Sequence, residues 1–288
     1  MSQRLWLILG ALVLIGLSSG VSILVYTTVV GGSGEPSAPI SAPTLDLNTP
    51  TPDPREAEIA RLSTEVARLS AENAALSTAA AVEAATAELA ATEEATPEAT
   101  ATPEPAAAVL FRIVPDESEV RFILTEELRG VPTTVIGRTN QVAGDLLVDF
   151  AAPGSSRVGV IRINARTLAT DNEFRNRAIR GEILQSSRAE YEFSEFTPTA
   201  LTGLPASVEA GQTVTFQIAG ELKVRDITQT VTFEATVTVV SEDRLEGSAI
   251  TTVQRGDYNL VIPSVPGVAN VSEAVRLEID FVAARVDE

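Results

Sequence analysis

The chain has 288 residues, no Cys, no His and a net charge of −18. Those absences exclude disulfides, thiolate or imidazole metal centres, a cysteine nucleophile and a Ser-His-Asp triad. The acidity argues against nucleic acid as a partner, because phosphate binding wants a basic stripe.

Composition divides the chain near Ala108. All nine Phe lie beyond it, where 17 Arg or Lys face 26 Asp or Glu, so each part carries −9. Only the second part, 109–288, has the apolar content to bury a core.

Leu5 to Val30 runs 26 residues without a charge, preceded by Arg4 and followed by no Arg or Lys until Arg55. About 20 apolar residues suffice to cross a bilayer. Residues 1–30 are therefore expected to be a cytoplasmic N-terminus and a transmembrane anchor, with everything after Val30 outside. The rival reading is a cleaved signal peptide and a secreted product, since Ser18, Ser19 and Gly20 sit inside the run.

Residues 31–55 are rich in Gly, Pro, Ser and Thr and read as a flexible or extended linker. In 56–90, Ile59, Leu62, Val66, Leu69, Asn73 and Leu76 follow the a/d rhythm of a coiled coil. That pattern predicts either a parallel homodimer through the 56–78 heptads or an Ala-rich spacer helix. Residues 91–108, with Pro97, Pro103 and Pro105, form a second Thr/Pro/Glu-rich linker. The whole of 31–108 thus reads as a helical and disordered stalk.

From Val109 onward the rhythm changes to a period of two. Val214, Phe216 and Ile218 alternate with Thr213, Thr215 and Gln217; Val231, Phe233, Ala235, Val237 and Val239 with Thr232, Glu234, Thr236 and Thr238; and Val275, Leu277, Ile279 and Phe281 with Arg276, Glu278 and Asp280. These are half-buried antiparallel strands. Further strands are expected at 111–114, 119–125, 141–150, 157–164, 190–196 and 244–253, which implies a barrel or sandwich. One segment, Thr170 to Gly181, breaks the alternation and predicts a short helix capped by Thr170 or Asp171 and ended by Gly181.

The order of elements resembles the YceI-like family of lipocalin-like barrel proteins. The resemblance is carried by Phe111 to Asp116 with Ser118 to Phe122, Gly137 through Gly144-Asp145-Leu146, Thr170-Asp171-Asn172 with Arg175-Asn176, Tyr191-Glu192-Phe193, Gly220 to Val224 with Thr228, and Arg255-Gly256-Asp257-Tyr258. Asn176 stands where the family commonly has Asp, Ile183-Leu184 where it has an aromatic pair, and Asn259 where it has Gly. The resemblance implies an all-β fold: an extended eight-stranded antiparallel barrel with a short covering helix. It also implies an interior that holds an isoprenoid or similar lipid, export to the periplasm or cell surface of a bacterium, and a carrier rather than an enzyme, with no cofactor.

Phe122, Leu124, Phe193, Phe216, Ile218, Phe233 and Val237 are the expected ligand-binding lining. The same residues would pack on one another in a filled barrel, which would make the domain a structural or surface-display module. Asp171, Asn172 and Arg175 either orient a polar head at the barrel mouth or hold the helix. Arg175, Arg177 and Arg180 either meet a lipid phosphate or form a solvated helix face. Glu192, Glu195, Glu221 and Glu234 fall mostly on the outward phase of their strands, so no catalytic carboxylate pair is expected.

Overall fold

A computed structural model of the protein describes residues 32–45 and 108–286. The expected anchor at Leu5–Val30 and the 56–78 heptads lie outside the described residues. Among the described residues no helix is long and apolar enough to cross a membrane.

Alternation along the strands decides which face of the sheet is inside. The strands in chain order are β1 (Val109–Ile113), β2 (Glu119–Leu128), β3 (Val131–Thr139), β4 (Val142–Ala143), β5 (Asp145–Val148), β6 (Arg157–Val158), β7 (Ile161–Asn164), β8 (Phe193–Thr202), β9 (Thr213–Val224), β10 (Ile227–Ser241), β11 (Arg244–Gln254), β12 (Val268–Ala269) and β13 (Ala274–Arg285). On β10, Phe233, Ala235, Val237 and Val239 are shielded while Thr232, Glu234 and Thr236 are exposed. The outward Thr residues bond across the register with β9, Thr213 with Thr238 at 2.8 Å and Thr215 with Thr236 at 3.2 Å.

Hydrogen bonding runs β4-β7-β8-β9-β10-β11-β13-β1-β5-β6, every pairing antiparallel. Both ends of that path are bent strands. β4 passes into β5 across Gly144, and β6 into β7 across Gly159 and Val160, so the sheet curls strongly back on itself. β13 is shared along its length: its second half pairs with β1 and its first half with β2, which carries β3 as a hairpin partner.

The main core lies where β1, β5, β10, β11 and β13 meet, with Phe111, Ile113, Leu146, Val239, Leu245 and Phe281 buried together. Full burial of a ring such as Phe111 contributes on the order of 1.5–3 kcal/mol. A second cluster joins Phe196, Leu222 and Tyr258.

The predicted helix is present as α1 (Glu173–Ala178), with two corrections. Its cap is Asn172 rather than Thr170 or Asp171: the Asn172 side chain accepts hydrogen bonds from the N–H groups of Phe174 and Arg175, at 2.9 and 3.1 Å. Asp171 instead pairs with Arg175, four residues on, at 2.7 Å. Nor does Gly181 end the helix, which widens into a π-helical turn over Ile179–Ile183, closed by the Leu184 N–H bonding to Ile179 O at 2.8 Å. Asn176, the buried residue of α1, ties the turn before the helix, accepting from the Thr170 N–H at 2.7 Å and from its hydroxyl at 2.8 Å.

Residues 32–45 lie along the outer face of β7 and β8. The Ser37 N–H and hydroxyl both donate to the Glu192 carboxylate, at 2.9 and 2.7 Å. Arg162 donates to the Ser41 carbonyl at 3.0 Å, and Leu45 reaches the backbone at Gly159.

Candidate functional site: an apolar cavity under a short helix

The curled sheet encloses a cavity of about 760 Å³. Volumes of about 300–1,000 Å³ are those of ligand sites. The lining begins at Ile113, Leu146 and Phe281, beside the main core, and ends at Leu128, Phe174, Val265 and Pro266. α1 and the 260–266 loop border the second end.

Three inward rings lie against glycines rather than standing free in the lumen. A Cβ on Gly137 would come 2.0 Å from Phe122, one on Gly220 2.6 Å from Phe196, and one on Gly247 2.8 Å from Phe281. Because glycine has no side chain, each ring covers the opposite strand's backbone, and the space ahead of it stays open. Phe196 also meets Phe233 edge-on, with centroids 4.9 Å apart.

Six of the seven residues expected from the sequence line this cavity: Phe122, Leu124, Phe216, Ile218, Phe233 and Val237. Phe193 does not. Ser194 and Phe196 hold the inward phase of β8, so Phe193 shares the outer phase with Glu195, and the Arg162 guanidinium sits 5.3 Å from its ring. The short 3-10 turn at Ala189–Tyr191 precedes the strand and sets that phase. Lining residues that the sequence reading missed include Phe174, Tyr258 and the loop from Leu260 to Pro266. The loop has no periodicity to betray it.

Polar groups gather at the helix end. Arg175 bridges Glu126 and Asp171 at 2.7 Å each, which leaves it holding α1 to β2. Tyr258 is buried, and its hydroxyl has no partner among the described residues; burial first, and then the charge of Asp257, push its pKa up to about 12. Asn259, in the position where the family resemblance expects Gly, has φ of 49° and occupies the left-handed region that Asn tolerates.

Outside the cavity, Glu192 is 2% exposed. Burial alone would raise its pKa, but hydrogen bonds from the side chain and backbone of Ser37 and from Asn164, with the charge of Arg166, hold it below the ordinary carboxylate value. Glu195 pairs with Arg162, and Glu221 and Glu234 are exposed. Among the described residues no His, Cys, Asp or Glu side chains gather into a metal-binding group.

A strongly curled antiparallel sheet around a long apolar cavity, bordered by a short helix, is consistent with a lipocalin-like fold. The chain belongs to the YceI-like family: the model of the YceI-like domain matches residues 111–283. Among solved structures it is similar to a polyisoprenoid binding domain from Saccharophagus degradans implicated in plant cell wall breakdown. Identity there is 14% and the TM-score 0.46, over 62% of this chain and 99% of that one. It is also similar to BcnA of Burkholderia cenocepacia, at 16% identity and TM-score 0.46 over 60% and 99%. A YCEI protein of Campylobacter jejuni matches at 14% identity and TM-score 0.41, over 51% and 82%. No curated protein matches the chain.

Proposed function

We propose that this protein binds and carries an apolar, chain-shaped ligand, an isoprenoid or another lipid, inside an extended eight-stranded barrel. The protein is held outside the cytoplasm of a bacterium by the Leu5–Val30 anchor. The observation that carries the reading is the continuous apolar cavity from Phe281 to Phe174, in a chain of the YceI-like family. Binding is by burial. Each CH₂ moved out of water contributes about 0.8 kcal/mol, so ten carbons supply about 8 kcal/mol before ordering costs, and net micromolar binding, which takes about 8 kcal/mol, calls for a longer chain. No metal or redox group takes part in this reading.

Native mass spectrometry of the full chain, purified in mild detergent and followed by organic extraction, tests it. A stoichiometric isoprenoid or acyl-chain adduct is expected. A clean mass with no uptake of added polyprenol would overturn the container reading in favour of a surface-display module.

A further inference from the structure

Five large apolar residues are conspicuously exposed among the described residues: Val131, Phe174, Val240, Val261 and Val265. Four of them share the helix end of the cavity. Phe174 and Val265 line it, and Val261 lies in the same loop as the lining residues Ile262 to Pro266. Val131 opposes the lining residue Leu128 across the β2–β3 turn, and that turn is tied to the loop by the Arg129 N–H bonding to Gly267 O at 2.6 Å. Their exposures of 61% for Val131, 79% for Phe174 and 74% for Val261 leave an apolar rim in water. Arg129 and Arg177 belong to the same rim and join no ion pair among the described residues.

Val240 is at the far end. β10 starts beside the helix end, where Arg225, two residues before it, donates to Ile183 O at 3.0 Å. It then runs to Val240 next to the main core, roughly 43 Å along the strand at about 3.3 Å per residue.

A second observation, independent of the rim, concerns the 32–45 strap. Its first residues lie against the segment that follows α1: a Cβ on Gly32 would stand 2.7 Å from Ser187 Oγ, and one on Gly34 2.9 Å from Arg180 Nη1. From there the strap descends past Glu192 and Arg162 to Gly159. Gly32 follows the uncharged Leu5–Val30 run by two residues, a reach of at most about 7 Å.

We propose that the helix end of the cavity is a membrane-docking face: the rim of Val131, Phe174, Val261 and Val265 touches the phospholipid bilayer, and the strap holds it there. The inference rests on the anchored-container reading and deepens it, because a ligand then passes between lipid and cavity without crossing water. Apolar side chains beside guanidinium groups suit the interfacial zone, where the rings and methyls enter the acyl boundary and Arg stems reach back to the headgroups. With a net charge of −18 the chain has no general attraction to anionic lipid. The contact depends on apolar insertion at the high local concentration that tethering gives.

The chain has no Cys, so Val261→Cys and Val240→Cys can each carry one environment-sensitive fluorophore. The full chain is reconstituted into phosphatidylethanolamine/phosphatidylglycerol vesicles with and without nitroxide-bearing lipid. At 261 the label should be blue-shifted and quenched several-fold more strongly than at 240. Equal quenching, with the protein resistant to alkaline extraction, overturns the docking proposal alone. Extraction into the soluble fraction overturns the anchor and the proposal together. Failure to take up radiolabelled polyprenol while the difference in quenching persists overturns the container reading and supports the docked face. Ser37→Asp, which sets a second carboxylate against Glu192, should lower quenching at 261 towards the value at 240. Unchanged quenching would overturn the role of the strap.

Discussion

Phe122 covers Gly137, its cross-strand partner, so closely that a Cβ at 137 would stand 2.0 Å from the ring. Phe281 and Gly247 repeat the arrangement between β13 and β11. An inward aromatic ring usually fills a lumen. Here glycine receives the ring against the wall, and the cavity keeps its volume.

Gly137→Ala should therefore push the Phe122 ring off the wall and into the lumen. The expected cost is about 1–3 kcal/mol, as for other overpacked interiors, together with weaker uptake of polyprenol. Chemical denaturation reads the first and a binding titration the second. Adding Phe122→Leu should restore part of both.

The two phenylalanines 216 and 193 separate lining from bystander. Phe216→Ala should weaken ligand binding by tenfold or more, since the ring lines the cavity. Phe193→Ala should leave affinity within about twofold, because its ring lies outside beneath Arg162. Phe233→Asp should abolish binding by placing an unpaired carboxylate in the lumen. Circular dichroism must show a folded chain before that loss is counted.

The strap should loosen in acid. Glu192 has a folded pKa below its ordinary value, so it contributes stability above the ordinary carboxylate range, near pH 4.3. That contribution is lost as pH falls through the depressed value. Proteolysis within 32–45 should rise at low pH and stay low at neutrality. Ser37→Ala should raise it already at neutral pH, since a hydrogen bond to a charged group is worth about 1.5–3 kcal/mol. Equal proteolysis of Ser37→Ala and the parent at pH 7 would show that the contact does not hold the strap.

Tyr258 gives a test at the other end of the pH scale. Its hydroxyl is buried without a partner among the described residues, so Tyr258→Phe should be neutral or stabilising by up to about 1 kcal/mol. With a pKa pushed up to about 12 against 10.0 unperturbed, the unfolded chain releases the proton first. Stability should then fall as pH rises from 10 towards 12, and the fall should be shallower in Tyr258→Phe. Ultraviolet titration of tyrosinate checks the assignment.

Alternating runs in the sequence disclose β9, β10 and β13 because one face of each is wet, and the inward phase of those runs leads directly to Phe216, Phe233 and Val237. β3 is hidden by Pro132 and by a Thr-rich stretch, Thr133-Thr134, that lacks alternation. The Phe193 side is misread because an aromatic at the strand's start looks like the inward phase, whereas Phe196 and Ser194 hold it. Glu192 reads as a wet carboxylate beside Phe193. Its burial depends on Ser37, 155 residues away in the chain, a distance over which no local pattern carries information. The lining contributed by the 260–266 loop is likewise invisible in the sequence, because a loop acquires meaning only from its neighbours in space.

A chain that docks at 32–45 and re-enters the sheet at Val109 separates two quantities that a simple tether would link. If Leu5–Val30 anchors the protein as proposed, the height of the domain above the membrane depends on the two-residue step from Val30 to the Gly32 contact. The length of the stretch from 46 to 107 does not enter. In that reading a change in the length of 46–107 leaves the position of the cavity relative to the membrane unaltered.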